Sequence, residues 1–384
     1  MVVQVTENNK LVHCKEKLTE GIINELIEYV TRNNVTNLEF IECQVESEYI
    51  EMILDGERIK SLSIIENHAS KQFGKAIFTK IANCSSLKNL QMKKCGVINS
   101  HARILFGSKS ITSIDLTNNF ITDKAIIGLN NKTLKCLNLS KNKITYNGIK
   151  TILNNTEVTD LILEEYNKAF GEKTIKLLAK SSKLKSLNLA NNKLTDRNIA
   201  PLCYSKSIEH LNLANNRFLY YCCDVLRNNN TITTLNLCGV YGIGQYLNKL
   251  LQMSNLVNLT IANCEILDEH LKNFNELSKI EVLDISCNKI GATGFESLMQ
   301  NKILKQLDIT ANHCINSKHL KTYMYYNTSL ISLFYDYDNY SPETQEVIET
   351  QLNFNKKWLC YVVHNDHYIP DIGMIVYDYY MCNF

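Results

Sequence analysis

Only 3 prolines and 14 glycines punctuate these 384 residues, and they gather nowhere into a linker. Their scarcity argues against several domains joined by flexible tethers and for one long array. There is a single tryptophan, and 41 basic against 39 acidic residues leave a net charge of only +2. No global field therefore draws the chain to nucleic acid or to an anionic membrane, and no nucleic-acid partner is expected. No apolar run approaches the roughly 18 residues of a membrane-crossing helix, so no membrane span is expected. The opening MVVQVTENNK lacks the basic start and apolar core of a secretion signal, which points to a soluble, cytoplasmic protein. None of the 14 cysteines forms a C-x-x-C pair. Most stand where related segments carry Asn, Leu or Ala, as buried thiols in a reducing cytosol would.

With 45% hydrophobic residues, the chain can fill a large core. The hexapeptide LNLANN occurs at Leu187–Asn192 and again at Leu211–Asn216, 24 positions later. Aligning on it gives the template L-x-x-L-x-L-x-x-N-x-L. Copies begin at Val35, Ile59, Leu87, Ile111, Leu134, Val158, Leu184, Ile208, Ile232, Leu256, Ile280, Leu304 and Leu330, which makes 13, with eight of the twelve spacings equal to 24. In LNL the two leucines point to one face of a short strand and the central residue to the other. The ninth position calls for a polar group that can bond buried backbone in the turn. Asn67, Asn119, Asn142, Asn192, Asn216, Asn288 and Asn312 meet that demand, and Cys43, Cys95 and Cys264 replace them elsewhere. Tyr166 and Val240 break the ladder, so local irregularity is expected there.

Apolar pairs three apart follow each strand: Ile50/Ile53, Ile126/Leu129, Ile149/Ile152, Ile175/Leu178, Ile199/Leu202, Leu247/Leu250, Leu271/Phe274 and Phe295/Leu298. That spacing marks one face of a short helix. The expected fold is α/β, a solenoid of strand–helix units with a parallel sheet on its concave side and short helices on its convex side. Residues 1–34 are expected to form a helical N-terminal cap, with Ile23, Leu26, Ile27 and Val30 at helical spacing. Residues 35–340 form the array. Residues 341–384 form a C-terminal cap or appendage, its helix starting at Ser341 and Pro342.

The template resembles the ribonuclease-inhibitor-like class of leucine-rich repeats, over about residues 35–340, although units of that class commonly run nearer 28 residues. Short units rich in Asn, Ile and Lys also resemble, in composition, leucine-rich-repeat effectors of intracellular bacterial pathogens. The first resemblance implies a protein partner held on the concave strand face; the second implies delivery into a host cytosol by a specialised secretion machine.

Function is then to be sought where the copies differ, on the side chains at template positions three, five and seven. The middle of that face reads Asn, Ala, Thr and Ser. At its C-terminal end Asp284 and Asp308 fall in one column and Asp336 in the next, beside Phe334 and Tyr337. Like charges in register repel, and exposed aromatics anchor interfaces, so this end suits a basic segment of a protein partner. At the N-terminal end Ile41 and Ile65 form an apolar pair, exposed unless a cap covers them. Lys93, Lys94, Lys141 and Lys143 lie near them as a mildly basic zone, with solvated lysines as the plain reading.

No phosphate loop, nucleophile elbow or H-E-x-x-H helix is present, so no enzyme activity, cofactor or metal is expected. Cys360, His364, Asp366, His367 and Cys382 match no zinc spacing. Cys222 and Cys223 read as buried thiols. Only 44 residues follow Tyr340, too few for a ligase domain. The competing reading is an activator of a GTPase or another enzyme, for which the loop residue Arg217 would supply the arginine. The chain is expected to be a monomer.

Overall fold

The computed structural model describes residues 4–6, 10–14, 19–67, 73–165, 170–217, 220–312, 315–336 and 339–365. The chain divides into two compact units, Met1–Val240 and Tyr241–Phe384.

The first unit carries β1 (Gln4–Thr6), β2 (Lys10–Cys14), β3 (Asn37–Ile41), β4 (Ser61–Ile65), β5 (Asn89–Lys93) and β6 (Ser113–Asp115). It continues through β7 (Cys136–Asn138), β8 (Asp160–Ile162), β9 (Ser186–Asn188), β10 (His210–Asn212) and β11 (Thr234–Asn236). The second unit carries β12 (Asn258–Thr260), β13 (Val282–Asp284), β14 (Gln306–Asp308) and β15 (Ser332–Phe334). Each template copy contributes one strand, and a short helix or helical turn separates most neighbours. Within each unit successive strands from β2 onward pair in parallel. Leucine meets leucine across the sheet, as at Leu187, Leu211 and Leu235 or Leu283, Leu307 and Leu333.

Burial follows the template. The leucines of the strands and the apolar helix pairs close the core between sheet and helices, from Ile50 and Ile53 to Phe295 and Leu298. The helices are short because the spacing leaves room for little more. Asp123–Ile126 and Leu247–Leu250 are single turns, and isolated helices of that length are unstable without such packing.

The turn leaving each strand has one backbone solution. In the first twelve copies the eighth residue adopts positive φ, from 51° at Glu165 to 68° at Gly239. In ten of these copies its N–H donates to the seventh-position carbonyl of the next copy, as from Asn191 to Ala214 at 2.9 Å and from Cys287 to Thr310 at 2.8 Å.

The N-terminal end differs from the expected helical cap. β2 pairs in parallel with β3, Leu11 opposite Leu38, so the parallel stack starts one strand before the first template copy. The helix Glu20–Arg32, with Ile23, Leu26 and Val30 buried, connects those two strands, and β1 closes the edge by pairing antiparallel with β2. The strand KLVHC has a single template leucine, too little for the pattern to detect. At the other end the helix Pro342–Asn365 buries Thr344, Ile348, Leu352 and Asn355 along one face. The Asn355 amide donates to the carbonyls of Leu330 (2.6 Å) and Asn327 (3.2 Å), which meets backbone groups that a further repeat would otherwise satisfy.

Candidate functional site

The ninth-position ladder ties each turn to the one before it. Asn216 Oδ1 accepts the amides of Asn192 (3.1 Å) and Leu194 (2.9 Å), while its Nδ2 donates to the carbonyls of Leu189, Leu213 and Ala214 at 2.9, 2.9 and 3.2 Å. Asn119 and Asn288 repeat this set of bonds. Asn142 and Asn312 each accept one amide, from Ile121 and Ile290, and donate to three carbonyls. Asn192 donates to Leu163, and Asn67 exchanges two bonds with the backbone of Val45. The cysteines reproduce the donor half. The Cys95 thiol reaches the carbonyls of Ile64 and Lys93, both at 3.2 Å, Cys43 that of Ile41 and Cys264 that of Ala262. Val240 is buried and offers no oxygen, and Tyr166 lies outside the described residues.

A second ladder, which the template missed, sits where each helix returns to the sheet. Asn131, Asn229 and Asn327, three residues before a template start, donate to carbonyls of the preceding copy. They also accept two amides of their own loop. The recurring Asn or Ser three places before the first leucine was the available signal.

On the strand face turned away from the helices, position five has a structural task of its own. Its side-chain oxygen accepts the N–H of the residue two places on: Asp284 from Ser286 at 3.0 Å, Asp308 from Thr310 at 2.9 Å, Asn212 from Ala214 at 3.0 Å. The hydroxyls of Ser286 and Thr310 donate to the same carboxylate oxygens. Asp284, Asp308 and Phe334 are register partners on β13, β14 and β15, and Phe334 is 51% exposed. Asp336 turns one oxygen to the Ala311 amide at 2.9 Å, the bond that a seventh-position carbonyl makes in earlier copies. Tyr337 lies outside the described residues. Burial raises the Asp308 pKa above its ordinary value and the charges of Asp284 and Asp336 push the same way, against the hydrogen bonds from Thr310.

In the first unit the same column forms a closed chain. Ser63 donates to Gln91 (2.6 Å) and Glu39 (3.2 Å), and the amides of Gln91 (3.3 Å) and Asn138 (3.1 Å) donate to Asp115. Lys93 completes it with an ion pair to Asp115 at 3.5 Å. Ile41 and Ile65 are register partners on β3 and β4. They are half-buried rather than exposed, because β2 extends the sheet past β3.

A family model described as "Leucine Rich repeat" matches residues 130–153, 180–203 and 276–299, each a segment that spans a helix–strand junction or a strand and its helix. These are leucine-rich repeats. No curated protein matches the chain. Among solved structures, the yeast Rad7–Elc1 complex contains a chain 14% identical, with 85% of this chain and 86% of that one covered at a TM-score of 0.47. The actin-binding site 2 of leiomodin-1 is 19% identical over 35% of this chain and 86% of that one, at a TM-score of 0.32. The C-terminal domain of tropomodulin from Caenorhabditis elegans is 13% identical over 36% and 94%, at a TM-score of 0.30.

Between the leucine-rich repeats, charge is mostly paired. Lys94 meets Glu66 and Lys141 meets Glu165, both at 2.6 Å, which leaves Lys143 as the exposed member of the lysine zone without an ion pair among the described residues. One apolar feature escaped the template: Ile98 and Phe120 form a bridge between adjacent turns and are 45% and 62% exposed. Position ten holds Lys143, Lys193, Arg217 and Lys289 in other copies, so a phenylalanine there was a readable departure. The side chains of ten cysteines are described, all as free thiols, seven of them buried. The Cys222 thiol donates to the Asp196 carbonyl at 3.3 Å, and contact with Cys203 together with burial raises its pKa, the opposite of what a nucleophile needs. The side chains of Cys360, His364, Asp366, His367 and Cys382 lie outside the described residues. Among the described residues no helix is long and apolar enough to cross a membrane.

Proposed function

We propose that the chain is a non-enzymatic, monomeric scaffold of the reducing cytosol whose second unit binds a basic segment of a partner protein on the open strand face. One observation carries this reading. Asp284, Asp308 and Phe334 stand in register on neighbouring strands, so two carboxylates and an exposed ring share one column. Each carboxylate spends one oxygen on the turn of its own strand. Burial chiefly raises the Asp308 pKa and the charges of Asp284 and Asp336 add to it; a lysine or arginine laid across the column would offset that repulsion, and the Phe334 ring would supply apolar contact area. Composition alone supports the finer reading, an effector delivered into a host cell.

The test is affinity capture from a eukaryotic lysate by the wild type and by an Asp308→Asn/Phe334→Ala variant. Asparagine retains the oxygen that caps the turn, so the variant keeps its fold. A partner held by the wild type and lost by the variant is the expected result. Equal capture by both would remove the site from this column.

A further inference from the structure

Position five is a device with two ends. Its inner oxygen must accept the seventh-position N–H, as Asp115 does from Thr117 at 2.9 Å, Asn188 from Ala190 at 2.9 Å, Asn212 from Ala214 at 3.0 Å and Asn236 from Cys238 at 2.9 Å. Only an oxygen can accept an N–H, so the bond fixes which way each asparagine amide is turned. The outer end is therefore set by residue type: an acceptor oxygen where the residue is Asp, an NH2 donor where it is Asn. Swapping one for the other reverses the polarity of the face and leaves the turn intact.

In the first unit three such donors lie side by side. Asn188, Asn212 and Asn236 are register partners on β9, β10 and β11, which spaces them about 4.8 Å apart. Asn138 gives its Nδ2 to Asp115 at 3.1 Å, whereas the three Nδ2 groups on β9, β10 and β11 have no partner among the described residues. Asn188 is 8% exposed, and its Nδ2 is open to solvent rather than sealed in the core. Ala190 and Ala214, both buried, make a shallow floor beside the row. Lys193 and Arg217, on the loops leaving β9 and β10, are exposed and carry no ion pair among the described residues. The acids nearby are already engaged: Glu164 by Asn191 at 2.8 Å, Glu165 by Lys141 at 2.6 Å and Glu209 by Lys185 at 2.5 Å.

The geometry points to a second recognition surface, the row Asn188–Asn212–Asn236, whose occupant is an extended acidic peptide segment. Side-chain carboxylates supply the acceptors that the row lacks, and Lys193 and Arg217 complement their charge. A nucleic acid fits less well. Its phosphates need more cations than these two, and the row offers no aromatic ring for a base to stack on.

The experiment follows the side-chain amide resonances of Asn188, Asn212 and Asn236 by heteronuclear NMR during titration with decaglutamate, decalysine and decathymidylate. Decaglutamate shifts all three saturably and decalysine does not. Asn212→Asp, which keeps the cap as Asp115, Asp284 and Asp308 do in the same slot, weakens decaglutamate by about tenfold or more. Should that variant unfold, the loop pair Lys193→Glu/Arg217→Glu reads the same loss away from the sheet. The proposal is overturned if decaglutamate leaves the amides unmoved, if decalysine moves them equally or if the folded variants bind as the wild type. Tighter binding of decathymidylate at these residues overturns it in favour of a nucleic acid.

Discussion

At the scale of single residues, the turn after each strand imposes two demands, a left-handed eighth position and a bonding ninth one. Asn118, Asn191, Asn215 and Asn263 meet the first comfortably, because asparagine tolerates positive φ. Ala311, at φ 57°, does not. A β-carbon there crowds the following carbonyl at a cost of about 1–2 kcal/mol. We expect Ala311→Asn to raise stability by about 1 kcal/mol, read as a higher urea midpoint with an unchanged slope. A lower midpoint would show that the bond from the Ala311 amide to Asp336 governs this turn instead. The residue scale is also where the sequence was most legible. The ladder asparagines announced themselves by recurrence. What the pattern did not show is that one side-chain oxygen of Asp336 takes the Ala311 amide while its own carbonyl turns to Asn339.

Among the elements, thirteen template copies became thirteen strands from β3 to β15, with the helix pairs buried behind them. Periodicity revealed these because every copy fills the same slot with the same chemistry. β2 stayed hidden: its pairing with β3 comes from backbone bonds, which almost any side chain permits. Val240 marks another element boundary, since the first compact unit ends there and the ladder loses its asparagine at the same residue. The Val240 amide donates to Leu237 at 3.1 Å, as that of Asn312 donates to Ile309 at 3.2 Å. The Val240 turn thus shares that bond with the last asparagine of the ladder. Val240→Asn should add about 1 kcal/mol, the typical net gain from satisfying buried backbone, measured as a rise in melting temperature. An unchanged or lower value would mean that the apolar surroundings of Val240 outweigh the regained bonds.

For the whole molecule, the account holds that one position serves fold and function through different atoms. The inner oxygen of position five holds the turn; the outer atom gives acceptors at Asp284 and Asp308 and donors at Asn188, Asn212 and Asn236. Fold was legible because it depends on what repeats. The binding surfaces were legible only in part, since which atom faces outward emerges from hydrogen bonds that the sequence does not display. Asp308 offers the sharpest test. Its folded pKa is raised above the ordinary value of 3.8, so the folded state holds the proton more tightly than the unfolded chain. Stability should therefore fall as pH rises from that value through the raised one, and level off above it. A cationic ligand favours the carboxylate, so its binding should strengthen across the same interval. The measurement is a calorimetric titration of decalysine into the wild type and Asp308→Asn, from about pH 4 to about pH 7. The account predicts wild-type affinity that climbs with pH to a plateau, and a folded Asp308→Asn protein with weak, pH-independent binding. Equal affinity for the two proteins at every pH would contradict it.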